Sequence, residues 1–394
     1  MPPTTMDHVR HLAETIGPRG STTPEEEEAA RYAAGVLREG GLEPVTEVFT
    51  SARSAWYPFA LFAGAMLVGE LLFWLIGQWG ALIGLLLGLA AFICVLLELA
   101  FQPNPLSALL PMGRSQNVWV RIPPREETRE QVVVLGHLDT HRTPLIFSTR
   151  RWTRLFGKVM PAGLLSALVL IALFAVDVFI QGLQWRLASL PFALVLLVLF
   201  LLIVQADLTP YGPGANDNAS GAAIVLSLAT RLKEQPLRRT AVWAVLTGCE
   251  EVGLYGADAL VQTHRQDLGR PVWISIDEVG GRGAVPGYVV EQSWLLTDRS
   301  DPDLLTAADR VAGHHPELDA RPMVVRGVYS DANVGGKYGY RLLPLGGKWL
   351  EPALSNWHRP TDVVANVDPE VLQRSETFAW ELLQEIDRRA SAKA

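Results

Sequence analysis

The chain has 394 residues, a net charge of −7 and 49% hydrophobic residues, with a mean hydropathy of +0.19. That hydropathy exceeds what a soluble protein ordinarily carries and is concentrated in blocks, while the mild acidity excludes the basic stripe of a nucleic-acid-binding protein. Two cysteines, Cys94 and Cys249, leave no disulfide framework and suit a reducing compartment.

The amino-terminal MPPTTMDHVRHLAETIG has no apolar core and no small-residue cleavage site, so a secretory signal is not expected. Thr23 is placed to cap a helix, Pro24 suits its first position, and Glu25 to Glu28 fall where the helix dipole favours acids. Gly40-Gly41 ends that helix. The acidic run therefore reads as a helix start with no need of a basic partner.

Four apolar stretches follow, near residues 56–77, 79–101, 159–181 and 187–206. Each approaches or exceeds the roughly 20 residues that cross a bilayer. The links GQW and GLQWR are tight, so the stretches form two hairpins. Arg53, Arg114, Arg150, Arg151, Arg154 and Lys158 flank the hairpins, whereas the links hold only Arg186. This asymmetry predicts an integral membrane protein with four transmembrane helices and its polar bulk on the cytoplasmic face. Gly80, Gly84 and Gly88 make a smooth helix face, read first as packing within the bundle and second as a homodimer contact. Glu70, Glu98 and Asp177 are expected to be protonated or to face the interface, with no ion pathway.

Removing the hairpins (56–101 and 159–206) leaves residues 1–52, 114–150 and 208–394 as one discontinuous domain. Within it, NVWVRI, QVVVLG, TAVWAVLT and PVWISID read as buried strands, and GAAIVLSLATRLKEQ and GLYGADALVQTHR have helical spacing. The alternation predicts an α/β fold, a mostly parallel mixed sheet flanked by helices, with two inserted transmembrane hairpins. Active residues in such sheets gather beyond the carboxyl ends of the strands.

Three of the strands run into acids or a histidine: QVVVLG into His137-Leu138-Asp139, TAVWAVLTGC into Glu250-Glu251, and PVWISI into Asp277-Glu278. Asp217 lies in PGANDNASG at the start of a helix, and NWHRPTD places His358 in a polar turn. Singly, each has a bland reading, since a His-x-Asp after a strand is commonly a loop pair and adjacent glutamates a solvated face. His137 and His141 stand four apart, but the strand-like VVVLG and turn-like 140–144 argue against a helical zinc pair. Five such clusters at strand ends and helix starts are harder to explain blandly.

HLDT, PGANDNASG, CEEVGLYG, ISIDEVG and NWHRPTDVVANVDPE resemble, in order, the motifs of the dinuclear zinc exopeptidase family, which includes bacterial leucyl aminopeptidases and vacuolar aminopeptidase Y. The resemblance covers the polar portion, including the helix ending in REGGLEPVTEVF; the hairpins depart from it, since typical members are soluble or secreted. It implies two Zn2+ ions, or other divalent metals, with His137 and Asp277 on one, Glu251 and His358 on the other, and Asp217 bridging. Asp139 would accept the second ring N–H of His137 and fix its tautomer. Glu250 would be the general base toward a metal-bridging water and would hand the proton to the leaving amine. Small neighbours, Gly214, Ala215, Ala219, Ser220 and Gly221, give Asp217 its tight turn, and in relatives the bond after this acid is cis. Where relatives often have Ser-Asp-His, this chain has Ser330-Asp331-Ala332. Tyr329 beside it is a substrate-binding candidate for the oxyanion, with a packed loop tyrosine as the alternative. His8, His11, His264, His314 and His315 fit no motif and are expected at the surface; Cys249 is expected as a small buried strand residue.

The leading expectation is a membrane-anchored zinc aminopeptidase whose partners are peptides and the lipid bilayer, with no nucleic acid. Alternatives are a carboxypeptidase, for which Arg282, Arg326 and Arg359 are available, a glutaminyl cyclase, and a non-catalytic receptor or scaffold. The second hairpin falls between Asp139 and Asp217, which suggests a site facing the bilayer and short or hydrophobic peptides as substrates.

Overall fold

The computed structural model describes residues 3–102, 105, 109–293, 297–350 and 355–392. The chain divides into two compact units: residues 1–53, 112–141 and 211–394 form one, and residues 54–111 and 142–210 the other.

The first unit is built on a mixed sheet. Its strands are β1 (Val45–Ala52), β2 (Met112–Ile122), β3 (Glu130–His137), β4 (Thr240–Thr247), β5 (Val272–Asp277), β6 (Ala284–Ser293), β7 (Thr297–Arg299), β8 (Arg321–Arg326), β9 (Arg341–Leu342) and β10 (Leu345–Trp349). They lie in the order β1-β2-β4-β3-β5-β10-β6-β7, with β8 beside β6 and β9 beside β5. The centre, β4-β3-β5-β10, is parallel, and antiparallel strands extend it on both sides. Every residue of β4 is buried, the continuous apolar run expected of a strand covered on both faces. Helices Pro24–Glu39, Gly221–Glu234, Pro302–His314 and Pro369–Ala392 share one hydrophobic core with that sheet. Helix Tyr255–Leu268 packs on β1 and β2, where His264 sits edge-on to Trp119.

Register decides where chemistry can gather. His137 pairs with Thr247, and Leu135 with Ser275, two residues before His137 and Asp277 respectively. His137, Thr247 and Asp277 therefore end three neighbouring parallel strands at one level, with side chains on one face.

The helix starting at Pro24 is capped by the Thr23 hydroxyl, which accepts the Glu26 N–H, and closes at Gly40. Its acidic run is not uniformly solvated, however. Glu25, Glu27 and Glu28 are exposed, while Glu26 is fully buried. Histidines expected at the surface also differ: His8 is buried, with Nδ1 2.7 Å from the Tyr32 hydroxyl, and His264 pairs with Glu47 at 2.8 Å. Cys249 is buried but lies beyond the end of β4, in a turn, with φ of 53°.

The second unit is a bundle of four helices, Tyr57–Ile76, Gln78–Leu99, Arg150–Phe179 and Leu183–Asp207, each long and apolar enough to cross a membrane. The first packs against the fourth and the second against the third. The third begins earlier than its hydropathy implies, because the Thr149 hydroxyl caps it by accepting the Trp152 N–H at 3.3 Å. The glycine face is filled within the chain. A Cβ on Gly84 would fall 3.1 Å from Phe174 and 3.2 Å from the Gly69 carbonyl, and one on Gly88 2.9 Å from Ile171. Close packing within the bundle, the first reading of this glycine face, is what Gly80, Gly84 and Gly88 serve here. Glu70 and Asp177 also point inward and not toward an interface. Glu70 Oε1 accepts from Trp74 Nε1 at 2.9 Å and from the Ser189 hydroxyl at 2.6 Å, which ties the two hairpins together. Asp177 is fully buried and accepts the Gly182 N–H at 3.0 Å.

Candidate active site

Asp217 stands at the centre of the cluster, in the turn Ala215–Ser220 that leads into helix Gly221–Glu234. The turn opens at Gly214 with φ of 59°, and a side chain there would collide with Thr140, so glycine is required. The Asp217–Asn218 bond is cis. The Asp362 carboxylate accepts the N–H groups of Asn216 at 2.8 Å and Asp217 at 3.0 Å. Asn218 donates to the Ile276 carbonyl at 2.8 Å and accepts the Gly221 N–H at 2.9 Å, joining the turn to the end of β5. The Ser220 hydroxyl accepts the Val279 N–H at 3.1 Å.

Around Asp217 the expected residues converge. His137 Nε2 lies 3.4 Å from Asp217 Oδ1, 3.5 Å from Asp277 Oδ1 and 4.0 Å from Glu250 Oε2. His358 Nε2 lies 3.2 Å from Asp217 Oδ2 and 3.2 Å from Glu251 Oε2. Asp217 thus faces one histidine with each oxygen. A tetrahedral zinc ion with bonds of about 2.0–2.1 Å sets its donors roughly 3.4 Å apart, close to these separations.

The donor chemistry fits a cation. Among the described residues, His137 Nε2, Glu251 Oε1 and Asp277 Oδ1 are buried without a hydrogen-bond partner. The remaining nitrogen of His137, Nδ1, is 3.1 Å from the Asp139 carbonyl oxygen, so a proton there leaves the Nε2 lone pair for a metal. Electrostatics agree. Burial opposes charge on His137, but Glu250 and Asp277 outweigh it and hold the ring's pKa well above the usual value. Burial, with Asp217 facing it, lifts Glu251 to about 7. Burial also raises Glu250 well above the carboxylate range, helped by Glu251, Asp331 and Asp277.

The Asp139 carboxylate, expected on the His137 ring, has Oδ1 3.5 Å from Nδ1, beside its own carbonyl oxygen at 3.1 Å. It also accepts the Glu250 and Glu251 N–H groups, both at 3.1 Å, and the Ser21 hydroxyl at 2.6 Å. Tyr329 donates its hydroxyl proton to the Glu251 carbonyl at 3.2 Å. Tyr329 also lines the adjoining cavity.

Other site residues went unassigned in the sequence. Arg19 is fully buried and donates to the carbonyls of Leu12, Gly17, Leu138, Pro213 and Gly214 at 2.8–3.0 Å. His141 brings a ring nitrogen within 4.8 Å of carboxylate and ring donors of Glu251 and His358. Its ring stacks on His358 at 3.7 Å and 8°. Parallel rings direct their lone pairs along separate planes and cannot share an ion well, so His141 braces one side of His358 while Trp357 covers it at 4.0 Å. Asp331 and Asp362 are buried, and burial raises each to about 7. A cavity of about 640 Å³ opens beside Asp277 and Glu278; Val289, Met323, Val325, Trp349 and Trp357 supply apolar walls, and Lys348 the basic group.

Residues 201–383 match the model of peptidase family M28. The probable lipoprotein aminopeptidase LpqL of Mycobacterium tuberculosis is 28% identical over 193 residues, covering 42% of this chain and 38% of that protein. The chain spans about a third of the length of the curated relatives it matches. A zinc aminopeptidase from Bacillus subtilis shares the fold, with a TM-score of 0.56 and 15% identity over 97% of this chain and 94% of that one. So does a glutaminyl cyclase from Porphyromonas gingivalis, with a TM-score of 0.58 and 13% identity over 97% of each chain.

Proposed function

We propose, from the match of residues 201–383 to the model of peptidase family M28, that the chain is a membrane-anchored dinuclear zinc aminopeptidase. Asp217 carries this reading: its two oxygens face His137 and His358, each beside a further carboxylate. His137 and Asp277 would hold one zinc ion, Glu251 and His358 the other, and Asp217 both. Bound zinc would polarise the scissile carbonyl and lower the pKa of water.

The protein's own groups supply the rest. Glu250 accepts the proton of the attacking water on its carboxylate and returns it to the leaving nitrogen. Its Oε2 lies 4.0 Å from His137 Nε2, within reach of a water held at the cluster. Asp139 keeps Glu250 and Glu251 aimed through their amides. Glu278, lining the cavity beside Asp277, offers a carboxylate to a substrate ammonium. The surplus of acids favours an amino terminus over a carboxyl terminus, in keeping with the printed names of LpqL and the Bacillus subtilis enzyme. Anchoring rests on the four apolar helices.

Lys348 favours a second reading. It lines the same cavity, with Nζ donating to the Pro322 carbonyl at 2.8 Å, and is placed to meet a substrate carboxylate. Arg282 and Arg359 donate to the carbonyls of Ala365 and Ser355 and are not among the cavity's lining residues. One experiment separates the readings: full-length, zinc-loaded protein in detergent is incubated with a mixed peptide library and the products are read by mass spectrometry. Stepwise loss from the amino end is expected. Loss from the carboxyl end supports the carboxypeptidase reading, and an unchanged library rejects both.

A further inference from the structure

The turn that presents Glu250 and Glu251 rests on three consecutive amides, and all three hydrogen bonds leave the turn. Glu250 and Glu251 N–H go to Asp139, while Cys249 N–H donates to Glu26 Oε1 at 2.8 Å. Glu26 comes from helix Pro24–Glu39, outside the residues matched by the family model. Its other oxygen accepts the Thr22 N–H at 2.7 Å. Contact is close on every side: a Cβ on Gly248 would lie 2.9 Å from Glu26 Oε1, and Cys249 Sγ is 3.5 Å from it.

Cys249 holds φ of 53°. A side-chain-bearing residue in the left-handed region is strained and keeps that conformation only where its surroundings over-determine it. Here the Glu26 carboxylate holds the Cys249 N–H, beside Asn117, which accepts the Gly248 N–H at 3.2 Å, and Tyr255, whose N–H donates to the Cys249 carbonyl at 3.1 Å. Were Cys249 to relax, the peptide planes on either side would rotate. Glu250 would then swing away from the His137 side of the cluster and Glu251 from His358.

We infer that Glu26 is a positioning residue for the Glu250–Glu251 pair, fixing through the Cys249 amide the left-handed link from which both side chains project. The inference rests on the peptidase reading for the role of Glu250. It explains why one glutamate in a run of four is buried while its neighbours are exposed.

The test compares Glu26→Gln with the wild type in the full-length, zinc-loaded protein. Glutamine has one acceptor oxygen, so either Cys249 or Thr22 loses its partner. A tenfold to hundredfold fall in kcat is expected, the usual range for groups that orient others. KM should move by less than about threefold, bound zinc should stay at the wild-type ratio, and amide hydrogen exchange should quicken only in the peptide spanning residues 247–252. Glu25→Gln, on the exposed face, should behave as the wild type. A kcat within about twofold of the wild type, or faster exchange throughout the sheet, overturns the inference. Should Glu26→Gln not fold, Glu26→Asp keeps both oxygens and the charge one methylene short, and the same readouts apply; failure of both to fold also overturns it. If the wild type itself cleaves no peptide, the functional reading fails alone, and the exchange at residues 247–252 still decides whether Glu26 holds the turn.

Discussion

Replacing Arg19 by methionine keeps much of its volume and removes every donor. Of its five carbonyl partners, Leu12 and Gly214 also accept the Gly17 and Ala219 N–H groups, whereas Gly17, Leu138 and Pro213 would lose the guanidinium without such a second backbone donor. A buried acceptor left unsatisfied costs about 1–3 kcal/mol, which gives roughly 3–9 kcal/mol for three. Relief of the buried charge and entry of water reduce this, and we expect about 4 kcal/mol. Burial lowers the Arg19 pKa only to about 10, so the lost group is a cation at neutral pH, one that faces Asp362, Asp139 and Asp217. For a unit of this size the loss corresponds to a Tm fall of roughly 8–16 °C. Tryptophan fluorescence during thermal unfolding of the detergent-solubilised protein measures it, since Trp119, Trp243 and Trp273 belong to the sheet. Because Arg19 spans the loops bearing Asp139 and Asp217, zinc affinity should drop with it. A Tm within about 3 °C of the wild type would refute the idea that this one side chain pins those loops.

Four further outcomes are expected. Glu250→Gln should lower hydrolysis by about 10²–10⁴-fold with zinc retained, measured by peptide turnover and metal analysis; full activity would discard the mechanism. Asp217→Asn leaves a neutral amide between the two histidines, and isothermal titration should show zinc affinity reduced by at least tenfold. In metal-free protein, His358 is raised to about 9, Glu26 to about 8, and Asp331 and Asp362 to about 7, burial being the first cause for the acids and their facing carboxylates the cause for His358 despite its burial. All four contribute stability that is present at low pH and lost as pH rises through those values, while depressed Asp217 acts only in strong acid. The metal-free Tm should therefore fall between pH 6 and pH 9, with zinc stabilising more as pH increases. Gly84→Leu should destabilise the bundle, because its Cβ would already press on Phe174 and the Gly69 backbone; thermal aggregation in detergent reports it.

Strands were legible wherever burial on both faces produced unbroken Val, Ile and Trp runs, as in β4, and helices wherever a cap was written beside an amphipathic run, as at Thr23-Pro24. The third apolar helix was misjudged at its start because hydropathy marks lipid contact, while Thr149 caps a helix that begins in polar sequence. The residues that converge around Asp217 were legible because they follow strand ends or open a helix. Arg19, Ser21 and Glu26 were not, because a buried charge bonded to distant backbone leaves no periodic trace. Glu26 was further hidden by helix-start chemistry that explains its neighbours fully. The further partners of Asp139 were hidden for a related reason: spacing of two residues places it near His137, but only the folded chain brings the 250–251 amides to it.

The interleaving of strands and apolar helices has a consequence for biosynthesis. His137 and Thr247 are register partners, yet the ribosome must complete the whole second hairpin before the later strand exists, and His358 emerges later still. The carboxylates and histidines that converge around Asp217 are therefore incomplete until His358 has been made, after all four segments long and apolar enough to cross a membrane have left the exit tunnel.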